Sequence, residues 1–175
     1  WNPSSATAAA VALEGFHRQC AVLSMANLAQ IVNILQAVVM TEGTRLYRTP
    51  TYHVFRMHAP HIGGTALGVE NVQGDTLPDG AGAVTATASR KDVAMAVTLI
   101  NRHRHAASDV RLEGPAHLAR ASGRLLTASS PSATNSADEP DRVRPVELRV
   151  EGDGAGAWRL ELPPHSVATI IVVAA

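Results

Sequence analysis

Apolar and polar positions follow two different rhythms along the chain, and the change falls near residue 64. Before it the spacing is helical. Residues 6–19 (ATAAAVALEGFHRQ) place Val11, Leu13 and Phe16 on or near one face, and Gly15 weakens the middle by about 1 kcal/mol relative to Ala. Ala21–Ala26 is a short apolar run, which predicts a buried strand and, with the helix before it, half of a β/α repeat. Residues 28–40 are apolar, and Asn27, Gln30, Asn33 and Gln36 recur at every third position, as on one side of a helical or 3₁₀ turn. Thr49-Pro50 predicts a helix start, because Thr caps a first turn and Pro at the first helical position lacks an N–H that would be orphaned there. Pro60 and Gly63-Gly64 end that helix.

Beyond Gly64 the period becomes two. Val84–Ala88 and Val93–Ile100 alternate, with Ser89–Asp92 as the polar turn between them. Further runs at 109–113, 117–127, 146–151, 157–162 and 166–173 bring the expected strands to seven, which predicts an antiparallel sandwich. Residues 127–145 (TASSPSATNSADEPDRVRP) are polar and proline-bearing, and read as a long surface crossing between sheets.

Composition narrows the function classes. Hydrophobic residues make up 46% of the 175, so a core can be built, but aromatics are only 3%, so that core is mostly Ala, Val and Leu. Lys+Arg and Asp+Glu are both 15, and this balance gives no electrostatic pull toward nucleic acid or anionic lipid. No apolar stretch reaches membrane-spanning length, and WNPSS does not resemble a signal peptide. The single cysteine, Cys20, excludes an internal disulfide and leans toward a reducing, cytoplasmic compartment.

Candidate chemistry is sparse. The stretch 49–61 (TPTYHVFRMHAPH) carries three histidines, of which His58 and His61 are three apart. Pro60 falls between them, and no carboxylate or further histidine stands at a zinc-like spacing, so packing is the expectation and metal binding is not. His17 and Cys20 lack a third ligand, and His103 and His105 read as a solvated strand end. Ser122 and Ser166 have no His/Asp partners, and the glycines at 80–82 and 152–156 are turn material rather than a phosphate loop.

The motifs taken together resemble the end of a glycoside hydrolase family 51 α-L-arabinofuranosidase. Ser24–Gln30 with Val32–Gln36, then Thr49–Phe55, are similar to the end of that family's catalytic barrel. The likeness continues through Ser89–Lys91, Val97–Asn101, Gly123–Thr127, Asn135, Glu139-Pro140, Val143–Glu147 and Leu162–Val167 in the family's order. It implies a fold class of α/β then all-β. Residues 1–64 would be the last part of a (β/α)₈ TIM barrel, with Val22–Ala26 as its eighth strand, and residues 65–175 a jelly-roll-type β-sandwich. Trp1-Asn2 is similar to the dipeptide that follows the nucleophilic glutamate in the family, although the family has a longer segment than Pro3–Ser5 before the next helix.

The resemblance implies a parent that removes terminal non-reducing arabinofuranosyl groups from arabinan or arabinoxylan oligosaccharides by a retaining mechanism, with no metal or organic cofactor. Retention needs two carboxyl groups about 5–5.5 Å apart. Neither Glu14, within a predicted outer helix, nor Glu42 matches a catalytic position, so both reacting glutamates are expected upstream and the 175 residues alone are expected to be inactive. Gln30 maps to a substrate-contacting glutamine, and Asn27 and Trp1 are further candidates to line the pocket. The family also implies self-association into homo-oligomers. Two rivals remain: a related enzyme acting on β-xylosides or β-glucans, and a non-catalytic carbohydrate-binding or assembly sandwich. Trp158, the one Trp, Tyr or Phe after residue 64, is expected in the core, which disfavours a sugar-stacking platform.

Overall fold

The structure, a computed structural model, describes residues 3–28, 31–34, 37–70, 74–115 and 118–174. In chain order the elements are helix α1 (Pro3–Arg18), strands β1 (Val39–Glu42) and β2 (Arg45–Arg48), helix α2 (Pro50–His58) continued by a 3₁₀ turn (Ala59–His61), and strands β3 (Thr65–Leu67), β4 (Val84–Lys91), β5 (Ala94–Asn101), β6 (Ser108–Glu113), β7 (Leu118–Leu126), β8 (Val146–Leu148), β9 (Glu151–Gly152), β10 (Ala157–Leu162) and β11 (Ser166–Ala174). All strand pairs are antiparallel. They form a hairpin β1-β2, a six-stranded sheet in the order β3-β4-β5-β11-β7-β8, and a three-stranded sheet in the order β6-β10-β9.

The two larger sheets face each other as a β-sandwich. The period-two pattern of β4, β5 and β11 explains the layering. One face of the six-stranded sheet presents Ala88, Val97, Leu99, Ala168, Ile170 and Val172, which pack on Trp158, Leu160 and Leu162 of the smaller sheet. Trp158 is 2% exposed, at the core position its alternation predicts. Gly114 and Gly152 make room for its ring: a Cβ at either would lie within 3.3 Å of Trp158 atoms. The opposite face carries buried hydroxyls, Thr87, Ser89, Thr98 and Thr169, beside Ile100 and Val167. Helices α1 and α2 lie on this second face, where Ala6, Ala10, Val54 and Met57 join Ile100, Leu126, Val143 and Val167 in a second, smaller cluster.

The helix over 6–19 forms as expected, extended to Pro3–Arg18. Helix α2 starts as Thr49-Pro50 predicts: the Tyr52 N–H donates to Thr49 Oγ1 at 3.4 Å, and Thr49 Oγ1 donates to the Ala37 carbonyl at 2.8 Å. All seven expected strand regions after residue 64 carry strands.

Several expectations are corrected. Ala21–Ala26 is not a strand; the chain turns through Val22 and runs without regular structure to Leu28, with Val22 83% and Met25 70% exposed. An apolar run becomes a strand only against neighbours that satisfy its backbone, and none pairs with it among the described residues. Residues 28–40 do not form a helix where they are described. Asn33 adopts a positive φ of 54°, its Nδ2 donates to Thr41 Oγ1 at 2.6 Å, and its Oδ1 accepts from the Thr41 N–H at 2.7 Å. The amide thus clasps a turn into β1 rather than lining a helix. The turn after β4 is tighter than Ser89–Asp92: Lys91 pairs with Ala94, leaving Asp92 and Val93 at its tip, with Asp92 at φ 53°. The 146–151 run splits between sheets, β8 to one and β9 to the other. Residues 127–145 join two neighbours in one sheet, β7 and β8, rather than crossing between sheets. That loop is anchored by Asn135, whose Nδ2 donates to the carbonyls of Arg48 (2.8 Å) and Val143 (2.9 Å), and whose Oδ1 accepts from the Val143 N–H (2.7 Å).

Candidate functional site

Trp1 and Gln30 lie outside the described residues, and Asn27 is exposed in the irregular stretch after α1. Each glutamate of the first 64 residues is paired with an arginine. Glu14 is 6% exposed; one oxygen pairs with Arg18 Nη2 and the other accepts from Thr85 Oγ1 at 2.6 Å, so it ties α1 to β4. Glu42 sits on the β1-β2 hairpin, 3.3 Å from Arg45 Nη2.

The histidines converge instead at the junction of helices and sheet. The 3₁₀ turn carries the chain past Pro60 so that His58 and His61 stack with ring centroids 4.5 Å apart. His17, from the last turn of α1, lies 5.0 Å from His61 and 5.9 Å from His58. His61 is 7% exposed; its Nδ1 is 2.8 Å from Ser89 Oγ and its Nε2 2.9 Å from Thr98 Oγ1. His17 Nε2 is 3.1 Å from the Ala88 carbonyl. These nitrogens address the sheet rather than a common point, and among the described residues no group of three or more His, Cys, Asp or Glu is arranged to hold a metal ion. Burial, then the neighbouring rings, pushes His58 down to about 4 and His61 down to about 3. His53 is also lowered, by burial first and then by Arg48, with Asp141 opposing.

Spacing showed that His58 and His61 could share a face; nothing local showed that His17 would join them. A second set of buried polar groups also escaped sequence reasoning. Asn101, 0% exposed, donates from Nδ2 to the carbonyls of Ala106, Leu162 and Pro163, each at 3.0 Å, and accepts the His103 N–H at 2.9 Å. His103 Nδ1 in turn accepts the N–H groups of His105 and Ala106, so this strand end is a hydrogen-bonded turn, with Arg104 and His105 exposed at its tip as expected.

Open grooves mark the surface of the sandwich, three of them large. One of about 880 Å³ lies between α2 and β7-β8, with Arg56, Arg124, Glu147 and Arg149 along it. One of about 650 Å³ borders β6 and β10, and one of about 1110 Å³ opens between the sheets beside the free edge of β6. None offers an exposed aromatic ring.

The class that the fold defines is a two-sheet β-sandwich whose outer face seats two helices. The particular family follows from comparison with known proteins. A family described as the alpha-L-arabinofuranosidase C-terminal domain matches residues 1–166. An intracellular exo-alpha-L-arabinofuranosidase of Bacteroides ovatus is 33% identical over 171 residues, covering 93% of this chain and 32% of that protein. The GH51 arabinofuranosidase of Xanthomonas axonopodis pv. citri superposes with a TM-score of 0.84 at 29% identity, over 95% of this chain and 35% of that one. The alpha-L-arabinofuranosidase of Thermotoga maritima, solved as an arabinose complex, shares the fold with a TM-score of 0.84 at 20% identity, over 99% of this chain and 39% of its own. The chain belongs to the alpha-L-arabinofuranosidase C-terminal domain family, and it spans about a third of the length of these relatives.

Proposed function

We propose that the chain is the C-terminal portion of a retaining α-L-arabinofuranosidase that releases terminal non-reducing α-L-arabinofuranosyl groups from arabinan or arabinoxylan oligosaccharides. The observation that carries this reading is the family match over residues 1–166, joined by a relative of 33% identity whose name states that activity. Residues 1–64 close the catalytic barrel, residues 65–175 form a supporting jelly-roll-type sandwich, and the two reacting glutamates come from upstream. The exposed apolar side chains Val22, Met25, Ile31 and Val32 support a barrel neighbour on that side, since such a cluster is costly in water. Glu14 and Glu42 are engaged by arginines, which supports a portion without hydrolytic activity of its own. Gln30 supplies an amide to a sugar hydroxyl or ring oxygen, with Asn27 and Trp1 beside it at the pocket wall. The parent works inside the cell, as the name of the Bacteroides ovatus relative says of that protein, and self-associates.

The test is hydrolysis by the full-length protein of aryl α-L-arabinofuranoside, β-xyloside and β-glucoside, with Gln30→Ala alongside. Preference for the arabinofuranoside, with kcat/KM about tenfold to a hundredfold lower in Gln30→Ala, is expected from loss of one or more substrate hydrogen bonds. Preference for the β-xyloside or β-glucoside would overturn the substrate. Absence of all hydrolysis, with retention on insoluble arabinoxylan, would favour a binding module.

A further inference from the structure

The helix-to-sheet junction differs in kind from the sandwich core. Between the two sheets the buried cluster is wholly apolar, from Ala88 and Val97 through Trp158 to Val172. Between the helices and the six-stranded sheet the apolar cluster is small and largely alanine and valine, and polar contacts complete the seal. From α1 these are Glu14 to Thr85, His17 to the Ala88 carbonyl, and Arg18 to the Ala86 carbonyl at 3.5 Å. From the 3₁₀ turn, His61 spans β4 and β5 through Ser89 and Thr98, and Thr98 Oγ1 is 3.4 Å from Thr169 Oγ1 of β11.

We propose that His58 and His61, seated against His17, form an acid-sensitive latch, in which protonation of these two rings releases α1 and α2 from the six-stranded sheet while the sandwich stays folded. The charge inventory supports it. The titratable and charged groups on the elements around the rings are Glu14, His17 and Arg18 from α1, Arg56 from α2, Lys91 and Asp92 at the β4-β5 turn beside Pro60, with the Lys91 Nζ donating to the Ile62 carbonyl at 3.2 Å, and Arg124 and Glu147 along the groove that reaches Met57 and Pro60; β5 and β11 offer hydroxyls only. Glu14 is already occupied by Arg18 and Thr85, and among the described residues no carboxylate is ion-paired with the rings. New positive charge on the stacked rings therefore meets like charge at 4.5–5.9 Å. The inference holds whether or not the parent cleaves arabinofuranosides, because it concerns only how these elements are joined.

The direction follows from linkage. His58 and His61 are held below the ordinary 6.5 when docked, so the released state binds protons first. Docking is unaffected well above 6.5 and weakens as pH falls from there through about 4 for His58 and about 3 for His61. At about pH 5 protonation of either ring raises the released population roughly thirtyfold.

The test places spin labels on the full-length protein, freed of native cysteines, at Arg56→Cys on α2 and Arg124→Cys on β7, two exposed positions on one groove. A control pair sits at Arg111→Cys and Arg159→Cys, partners across β6 and β10. Lowering the pH from about 7.5 to about 5 is expected to lengthen and broaden the first distance by electron spin resonance and to leave the control unchanged. His58→Gln with His61→Gln, which removes both titrating rings and keeps polar side chains, is expected to abolish the change. An unchanged first distance, a change that persists in the double variant, or separation of the control pair at the same pH would each overturn the latch. Should the double variant fail to fold, ring-proton titration of the wild type by NMR decides: His58 and His61 titrating near 6.5 would refute it.

Discussion

Replacing Asn101 by Ala removes a side chain that no solvent can replace. The residue ends β5, pairs with Ser166 of β11 and Val84 of β4, and is 0% exposed. Its two amide hydrogens serve three carbonyls at 3.0 Å, so one of them is shared, and its oxygen takes the His103 N–H at 2.9 Å. Losing about three net hydrogen bonds at about 1 kcal/mol each, and leaving part of a buried set unsatisfied, costs about 3–5 kcal/mol. For a unit the size of the sandwich this lowers Tm by about 10 °C or more. Calorimetry on the full-length protein, following the transition of the sandwich, measures it. Asn101→Asp sharpens the test: the acceptor for His103 survives, but an oxygen now faces three carbonyl oxygens. It should therefore be at least as damaging as Ala, despite its near-identical shape. An Asp variant as stable as the wild type, or an Ala variant that loses less than about 1 kcal/mol, would refute the assignment of Asn101 as the clasp between β5, the 102–106 turn and the β10-β11 corner.

Ile170→Ala, at a 0% exposed position in the middle of β11, should cost about 2–5 kcal/mol in urea unfolding, whereas Ile171→Ala on the groove side should cost clearly less. Gly123→Ala places a Cβ 2.9 Å from Leu148 Cβ and Val150 Cγ2, so it should cost about 1–3 kcal/mol and raise amide exchange in β8 before other strands. Thr49→Ala removes both the cap of α2 and the bond to the Ala37 carbonyl, and should cost about 1–2 kcal/mol, seen as faster proteolysis at the β2-α2 corner.

Which parts of the fold were legible in the sequence follows from the range of the forces. Helix α2 could be placed because Thr49-Pro50 is a local device, and the strands of the sandwich because half-buried strands alternate on their own. The stretch 21–40 misled because apolar character was read as secondary structure, when the backbone there follows partners rather than composition. Asn33 clasping Thr41 is one such partner. The short strand β3 was missed because three residues carry too little pattern to register. Among candidate groups, the histidines at 58 and 61 were visible as a pair. Their companion from α1, and the hydroxyls of Ser89, Thr98 and Thr169 beneath them, depend on the docking of a helix onto a sheet that no local spacing encodes. Asn101 and Asn135 look like ordinary polar residues in sequence, and only their burial gives them weight.

Strand β11 comes after every other strand in the chain, yet it lies between β5 and β7 and hydrogen-bonds to both. On the ribosome this order matters. The segment from the end of β7 at Leu126 to the end of β11 at Ala174 takes about 2–10 s to synthesise. Throughout that interval the nascent polypeptide carries two bare edges meant for the same missing stave, and the surface on which α1 and α2 must settle does not yet exist. Quality of biogenesis therefore hinges on the final nine codons of this stretch: a stop introduced before Ser166 deletes a seam rather than a tail, and leaves a product fit for degradation or for inclusion bodies.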